Sequence, residues 1–594
     1  MQRFRLVCTA MLATVMPLAV PFSFCGARAA ASVAPVPFPS TPLWPDGLSG
    51  AFLVGTVAAM EGDDAVAGVA FRQAYRLDPA RPVLLQQAFL YSALAGDSAA
   101  AGLAARLPGQ LMAELVMGDD ALLAGRWADA QAHYDRAPRN AMLAVIRPIL
   151  QAWTLLGSGD AGRALSVLDP WTADRSLGGY YAVHAALIAD AAGLHVRADA
   201  YFRAALAASP GHDLFSTRAV GHWLVGQGRR AQALQLVDRL AVSIPALSLA
   251  KDGIVASLAR TPAATPRQGI AQAYAFLSAL IGQEAERLPD PPGQDARVAG
   301  LRDLRMLLLR FALTLDPAFG QARLMLSALQ YDAGQAAAAR DTIAQAASSD
   351  PLGTVIRVQQ ARLDAATGRA DDAARILHDL VRAQPGLSQL WQVLGDVQSA
   401  RQDWPGAIES YSHAVAARGR LSGDDWTLLF GRAVALDRAD RWPQAQADLQ
   451  HALDLAPNEA ILLNYLGYSL AERGSNLPRA ETMLRRAVAI DPQDAAIRDS
   501  LGWVLVCRGQ VAEGLGLLER AAEQTPEDPA VNYHLGVAYW KSGRKLEAVN
   551  QWHVAQLLPA EPSDARKIRA ALADAAREGH DVSAGQGRAD RKKD

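Results

Sequence analysis

The segment "DSLGWVLVCRGQVAEGLGLLERAAEQTP", Asp499 to Pro526, contains the pattern on which the fold prediction depends. It places a Leu-Gly pair before an aromatic residue, another glycine near its middle and a proline at its end. A glycine between two apolar stretches indicates a turn between helices, and a proline closes the second helix. The segment therefore predicts one helical hairpin.

The closing prolines recur at a fixed interval along the chain. Pro317, Pro351 and Pro385 stand 34 positions apart, and the same interval separates Pro492 from Pro526. A regular period of this kind is typical of stacked repeats, because one hairpin cannot bury its own apolar face without a neighbour. The sequence therefore predicts an array of hairpins.

Small and large residues also recur at fixed places within each unit. Glycines such as Gly509 and Gly543 are expected to end the first helix in a left-handed conformation. The glycine of each Leu-Gly pair should let two helices approach closely, while a large residue of the second helix fills the gap to the neighbour. These positions are Gly395, Gly467, Gly502 and Gly536 for the glycine, and Tyr411, Leu449, Leu484 and Trp552 for the large residue.

A 34-residue helix–turn–helix with these residues resembles the tetratricopeptide repeat. The resemblance implies an all-α fold, namely a right-handed superhelical solenoid of about twelve stacked hairpins in two blocks. It is most specific over residues 458–560, which look like the C-terminal repeats of bacterial envelope adaptors. That group includes the outer-membrane lipoprotein adaptor of a carboxyl-terminal processing protease.

Breaks in spacing and shifts in composition divide the chain into seven predicted segments. They are a signal peptide at 1–31, a Pro-rich flexible lead at 32–46, an N-terminal repeat-like block at 47–245, an irregular helical junction at 246–317, a C-terminal repeat block at 318–560, a capping helix at 561–579 and a disordered charged tail at 580–594.

The N-terminus has the features of a secretory signal. Arg3 and Arg5 precede an apolar run, and the sequence "ARAAAS" offers cleavage after Ala29 or Ala31. Cys25 follows bulky Phe24, which does not fit a lipoprotein signal, so we expect no lipid anchor. These features predict export to the periplasm, with no integral membrane span after the signal is removed.

Signatures of chemistry are missing from the sequence. The net charge of −2 gives no basic surface for nucleic acid, and no zinc helix, C-x-x-C or G-x-S-x-G motif occurs. The eleven histidines include no pair at helical spacing for a metal. The glycine-rich segment 157–165 is expected to be a turn between helices. The chain is therefore predicted to be no enzyme, with no metal and no cofactor.

What remains is a surface that binds other proteins. The resemblance implies that the first helix of each repeat lines a groove, and it assigns seven residues to that groove. Aromatic side chains mixed with a few charges are typical of peptide-binding surfaces. For Trp503 and Trp540 the alternative, that they fill space between repeats, stays open. The predicted groove residues are Asn464, Tyr468, Asp499, Trp503, Tyr533, Trp540 and Lys541.

The predicted function is a non-catalytic scaffold or adaptor that holds a partner protein or an extended peptide, with an envelope protease as one candidate partner. The alternative is a repeat component of a polysaccharide or cellulose export machine or another envelope assembly machine. The sequence leaves open the partner, the oligomeric state and the relative orientation of the two blocks.

Overall fold

The computed structural model describes residues 47–138, 141–208, 213–260, 263, 265–286, 295–347 and 349–590. The predicted signal peptide and Pro-rich lead lie outside these residues. The described part of the chain is all-α, as predicted, and contains no β-strand. It divides into two compact units after Arg382. This division falls later than the boundary at residue 317 that the repeat spacing suggests.

Unit 1 begins with six helical hairpins, which cover the predicted N-terminal repeat-like block. Their helices are α1 Leu48–Met60, α2 Asp64–Leu77, α3 Pro82–Ala95, α4 Ala99–Ala104, α5 Leu111–Leu123, α6 Trp127–Arg136, α7 Ala141–Gly157, α8 Ala161–Leu168, α9 Gly178–Ala191, α10 His195–Ala207, α11 Leu214–Gly226 and α12 Arg230–Ser243.

The rest of unit 1 contains a short helix, two long helices and two further hairpins. These helices are α13 Lys251–Ser257, α14 Pro266–Glu286, α15 Asp295–Leu315, α16 Gly320–Asp332, α17 Ala336–Ala344, α18 Gly353–Ala366 and α19 Ala370–Ala383, of which the last ends at the boundary.

The segment expected to be an irregular junction contains regular structure. Helices α14 and α15 are each 21 residues long, and they pack against each other and against helices of the first hairpins. Tyr274 of α14 donates a hydrogen bond to Asp119 of α5, with 2.9 Å between Oη and Oδ1. Gly269 lies so close to Trp153 of α7 that a Cβ atom there would be 2.0 Å from the indole. The two long helices therefore form part of the core of unit 1.

Unit 2 is a run of five hairpins followed by a long helix. The helices are α20 Ser388–Ala400, α21 Trp404–Arg418, α22 Trp426–Arg438, α23 Trp442–Leu455, α24 Ala460–Glu472, α25 Leu477–Ile490, α26 Ala495–Cys507, α27 Val511–Gln524, α28 Pro529–Lys541, α29 Lys545–Leu557 and α30 Pro562–Asp590.

Close packing at the Leu-Gly pairs confirms the predicted fit of small against large residues. A Cβ atom on Gly536 would lie 2.3 Å from Trp552, and one on Gly502 would lie 2.7 Å from Leu518. Trp552 is 3% exposed, which places it in the core. Because no side chain larger than hydrogen fits between these helix pairs, the glycine sets how closely each hairpin closes.

Glycines also form the turns within the hairpins. Gly509 and Gly543 have φ angles of 82° and 86°, so the predicted left-handed conformation is confirmed at both. Within the glycine-rich segment 157–165, Gly159 has a φ of 88° between α7 and α8, and Asp160 caps α8 by accepting a hydrogen bond from the Arg163 amide. This segment is therefore a helix–helix turn, as predicted.

Helix α30 covers the end of the last repeat. Ile568 is 1% exposed on the side that faces α29, and Lys545 of α29 forms an ion pair with Glu578 at 2.8 Å. Helix α30 spans the segment assigned to a capping helix and continues to Asp590, through most of the segment that we expected to be a disordered tail.

Candidate protein-binding groove

The first helices of the last three repeats, α24, α26 and α28, lie side by side and bring four aromatic rings together. We call the surface that these three helices form the α24–α28 groove. Its centre is His534, on which Trp503 stacks with 4.3 Å between ring centroids. Tyr468 lies 5.9 Å and Tyr533 lies 5.8 Å from the same imidazole. Four predicted groove residues therefore share one cluster: Tyr468, Asp499, Trp503 and Tyr533.

A buried ion pair supports this cluster from below. Nδ1 of His534 lies 2.9 Å from one carboxylate oxygen of Asp499, and both residues are almost fully buried. Burial opposes a charge on the ring, but the hydrogen-bonded Asp499 carboxylate outweighs it and raises the pKa of His534. The pair links α26 to α28 and fixes the plane of the imidazole beneath Trp503.

The position of Trp503 bears on whether the two tryptophans belong to the core or to the groove. The side chain is half-buried and packs against two apolar clusters of unit 2. Its indole Nε1 is buried and has no hydrogen-bond partner among the described residues. Trp503 therefore contributes to the packing between repeats and also presents part of its surface in the groove.

The three other predicted residues lie outside the aromatic cluster. Trp540 packs 5.4 Å from Trp552 and lies beneath the ammonium group of Lys545, both on α29. Lys541 is exposed and donates a hydrogen bond to the carbonyl oxygen of Val506 at 3.3 Å. Asn464 is half-buried, and its Oδ1 has no partner in the described part of the chain.

The structure adds groove residues that were absent from the predicted set. His534 is one, and the histidine survey missed it because it looked for metal pairs within one helix. A search for partners one repeat apart would have found it, since Asp499 and His534 are separated by one 34-residue period and one further position. Glu472 of α24, which the repeat register also directs into the groove, forms an ion pair with Lys567 of α30, and Lys567 was not predicted.

Burial keeps the hydroxyl groups of the groove protonated. It raises the pKa of Tyr468 well above the ordinary value, and the nearby Glu472 charge acts in the same direction. Burial also raises the pKa of the Cys507 thiol, which favours the unreactive protonated form. The groove thus offers aromatic faces, hydroxyl donors and carboxylates for binding, which is the chemistry of recognition.

Two searches of the described residues bear on other functions. No helix there combines the length and the apolar character that a bilayer crossing needs. In the same part of the chain, no set of three or more His, Cys, Asp or Glu residues is arranged to hold a metal ion.

Comparison with known families identifies the repeats. The tetratricopeptide repeat model matches residues 430–495 and 500–565, which include α24, α28 and most of α26. The suspected resemblance is therefore confirmed for this part of the chain, which consists of tetratricopeptide repeats. None of the curated proteins matches the chain in sequence.

Comparison with solved structures finds repeat proteins at low identity and low TM-score. A chain of the APC/C hetero-tetramer Cut9–Hcn1 is 14% identical, covers 89% of this chain and 97% of its own length, and has a TM-score of 0.37. Yeast Tom70 is 11% identical, with coverages of 79% and 96% and a TM-score of 0.32. YrrB, a repeat protein with an unusual peptide-binding site, is 19% identical, with coverages of 30% and 88% and a TM-score of 0.26.

Proposed function

We propose that this tetratricopeptide-repeat chain is an exported, non-catalytic adaptor that holds a segment of a partner protein in the α24–α28 groove. The observation that carries the proposal is the aromatic cluster of Tyr468, Trp503 and Tyr533 around His534. It lies on three successive first helices within the matched repeats.

The composition of the groove supports protein binding over other ligands. Trp and Tyr contribute large contact areas with few rotatable bonds, and they dominate binding energy in protein interfaces. The Asp499–His534 pair holds these rings in a fixed arrangement before a ligand arrives. Such preorganisation lowers the entropy cost of binding an extended or helical segment.

The N-terminal signal supports a periplasmic location for the adaptor. Arg3, Arg5 and the small residues around Ala29 and Ala31 are the basis of this part of the proposal. Sequencing the N-terminus of the protein recovered from cells tests it. A first residue of Ala30 or Ser32 agrees with export, whereas an intact Met1 contradicts it.

An envelope protease is the partner class that we propose, on the resemblance of residues 458–560 to envelope adaptors. Trp503→Ala and Tyr468→Ala, made separately in the full chain, should each abolish capture of the protease, because removal of an interface anchor commonly costs about 2 kcal/mol or more. The measurement is gentle affinity capture from cells followed by mass spectrometry.

Trp171→Ala provides the matched control for this capture. Trp171 is 39% exposed in unit 1, so its removal should leave the captured proteins unchanged. A circular dichroism melt of each variant separates loss of binding from loss of fold. The proposal is contradicted if both groove variants still capture the protease. It is also contradicted if the only variants that lose capture are those that the circular dichroism melt shows to be unfolded. Loss of a surface polymer on gene deletion, without uncleaved protease substrates, would favour the export machine instead.

A further inference from the structure

Helix α30 makes contacts that capping alone does not require. Ile568 and the Lys545–Glu578 pair hold it on α29, the neighbour that a cap must cover. Lys567, in contrast, reaches Glu472 of α24, although two other first helices come between them in the repeat order. Lys567 Nζ also lies 3.5 Å from Asp564 on its own helix.

A second ion pair ties the residue directly before α30 to α22, the first helix of the repeat that precedes α24. Glu561, directly before α30, lies 3.9 Å from the guanidinium of Arg438 at the end of α22. The two bridges have opposite polarity, since α30 supplies the cation at Glu472 and its leading residue supplies the anion at Arg438. We call the segment from Glu561 to Lys567, which these two bridges hold across the α24–α28 groove, the strap.

The strap resembles a bound ligand in its chemistry. Lys567 places an ammonium group on Glu472, which stands four residues after Tyr468 on α24 and so lies on the same face of that helix. A cation next to aromatic rings and a carboxylate is a recognition mode that proteins use for basic side chains. The carboxylate of Asp499 is already matched by His534, so the Glu472 charge is the one that the ligand must meet.

The ion pair is accessible to competition. The side chains of Lys567 and Glu472 are 34% and 18% exposed, so they can separate without opening the apolar core. Removal of Lys567 leaves a half-buried carboxylate next to aromatic rings. An incoming lysine or arginine restores the lost charge balance, whereas an acidic or neutral side chain does not.

We propose that Lys567 occupies the subsite for a basic side chain of the partner, and that a lysine- or arginine-bearing segment binds by replacing α30 at Glu472. This inference rests on the proposed function of the groove and adds the chemistry of the partner. The chain's own strap is then a built-in competitor, which lowers the apparent affinity in proportion to the time that it occupies the subsite.

The test uses the full chain and a labelled synthetic peptide of residues 559–578 as the probe. Lys567→Glu in the protein should release the strap and tighten peptide binding about tenfold, as expected for a subsite that α30 occupies nine-tenths of the time. Lys567→Met is a second variant, which removes the charge without introducing a repulsion. Fluorescence anisotropy gives the dissociation constants, and hydrogen exchange at the start of α30 reports its release.

A charge exchange makes the test specific for Glu472. Glu472→Lys in the Lys567→Met protein, whose own strap carries no charge at this position, should abolish binding of the natural peptide, and a peptide with Lys567→Glu should regain it. Arg577→Glu is the matched control, because Arg577 lies on α30 and pairs with Asp574 of the same helix. This control should leave the affinity of the full chain for the peptide unchanged.

The inference is overturned if the peptide binds wild-type and Lys567→Glu proteins equally, or if the natural and charge-reversed peptides bind alike. It is also overturned if no form binds the peptide while the variants still melt as folded proteins. In that case, partner capture that depends on Trp503 would leave the proposed function standing. Failure of that capture as well would remove both.

Discussion

Asp119 of α5 shows how one polar residue is accommodated inside unit 1. It is 3% exposed, and its Oδ1 accepts hydrogen bonds from Tyr134 at 2.7 Å and Tyr274 at 2.9 Å. Its Oδ2 is buried without a partner among the described residues. Burial raises the pKa of Asp119 from 3.8 to about 8, although the two tyrosine hydroxyls favour the charged form.

Asp119→Asn should therefore change how the stability of the protein depends on pH. Between pH 3.8 and about 8 the folded state keeps a proton that the unfolded state has lost, so this group makes the protein less stable as pH rises. Asn keeps an oxygen acceptor for Tyr134 and Tyr274 but does not titrate. Thermal unfolding should show the variant gaining stability relative to wild type from pH 5 to pH 8. A constant difference across that range would contradict the raised pKa.

The residues of the site differ in how far the sequence could predict them. Tyr468 and Trp503 each follow the Leu-Gly pair of their repeat, and Tyr533 stands two positions before the next such pair, so aligning the units placed all three on first helices of the groove. The pairing of Asp499 with His534 was available from the same spacing and was overlooked. For Trp540 the sequence left groove and core open, because the register assigns a face of the helix but does not show that Trp552 and Lys545 of α29 contact its ring.

At the scale of elements, the hairpins follow directly from the spacing of small and large residues. A glycine at each Leu-Gly pair faces a large side chain of the second helix, so local sequence determines the local packing. The long helices α14 and α15 lack this pattern. Their partners are distant in the chain, as the 155 positions between Asp119 and Tyr274 show. The repeat spacing therefore could not predict that they pack on the first hairpins.

Alanine substitutions at Gly536 and Gly516 should distinguish the effect of close packing on stability from the effect of helix propensity. Gly536→Ala would bring a Cβ atom within 2.3 Å of Trp552, and overpacking of this kind typically costs about 1–3 kcal/mol. Gly516→Ala is the control, because Gly516 lies within α27 with open space around it. Alanine there should stabilise the helix by up to about 1 kcal/mol. Urea unfolding measures the free energy of unfolding of both variants. Equal changes in Gly536→Ala and Gly516→Ala would contradict the packing role of Gly536.

At the scale of the whole molecule, both units are built from helical hairpins, but they differ in what covers the first helices of those hairpins. In unit 1, α14 and α15 pack on the first hairpins, and Tyr180 of α9 stacks on Phe276 of α14 at 3.9 Å between centroids. In unit 2, Tyr468, Trp503 and Tyr533 on the first helices α24, α26 and α28 stay partly exposed around the buried His534. Lys567 of α30 and Glu561, directly before it, form ion pairs with Glu472 of α24 and Arg438 of α22. This contrast supports the proposal that the binding surface lies in unit 2.

The bridges across the groove were beyond sequence prediction for a physical reason. Lys567 and Glu472 are 95 positions apart, and their meeting depends on the curvature of the stack. That curvature accumulates from small rotations between successive repeats, which no single repeat encodes in a readable pattern. The capping role of α30 followed from its position after the last repeat, whereas its contact with α24 required the three-dimensional structure.

The most direct test of the account is site-specific photo-cross-linking in cells that express the full chain. A photoreactive phenylalanine analogue at Tyr468 should cross-link to a partner protein, and Glu472→Lys should suppress that product. The same analogue at Val554, 43% exposed on α29, should give none of it. A product of equal yield at both positions, or its persistence with Glu472→Lys, would contradict binding in the α24–α28 groove.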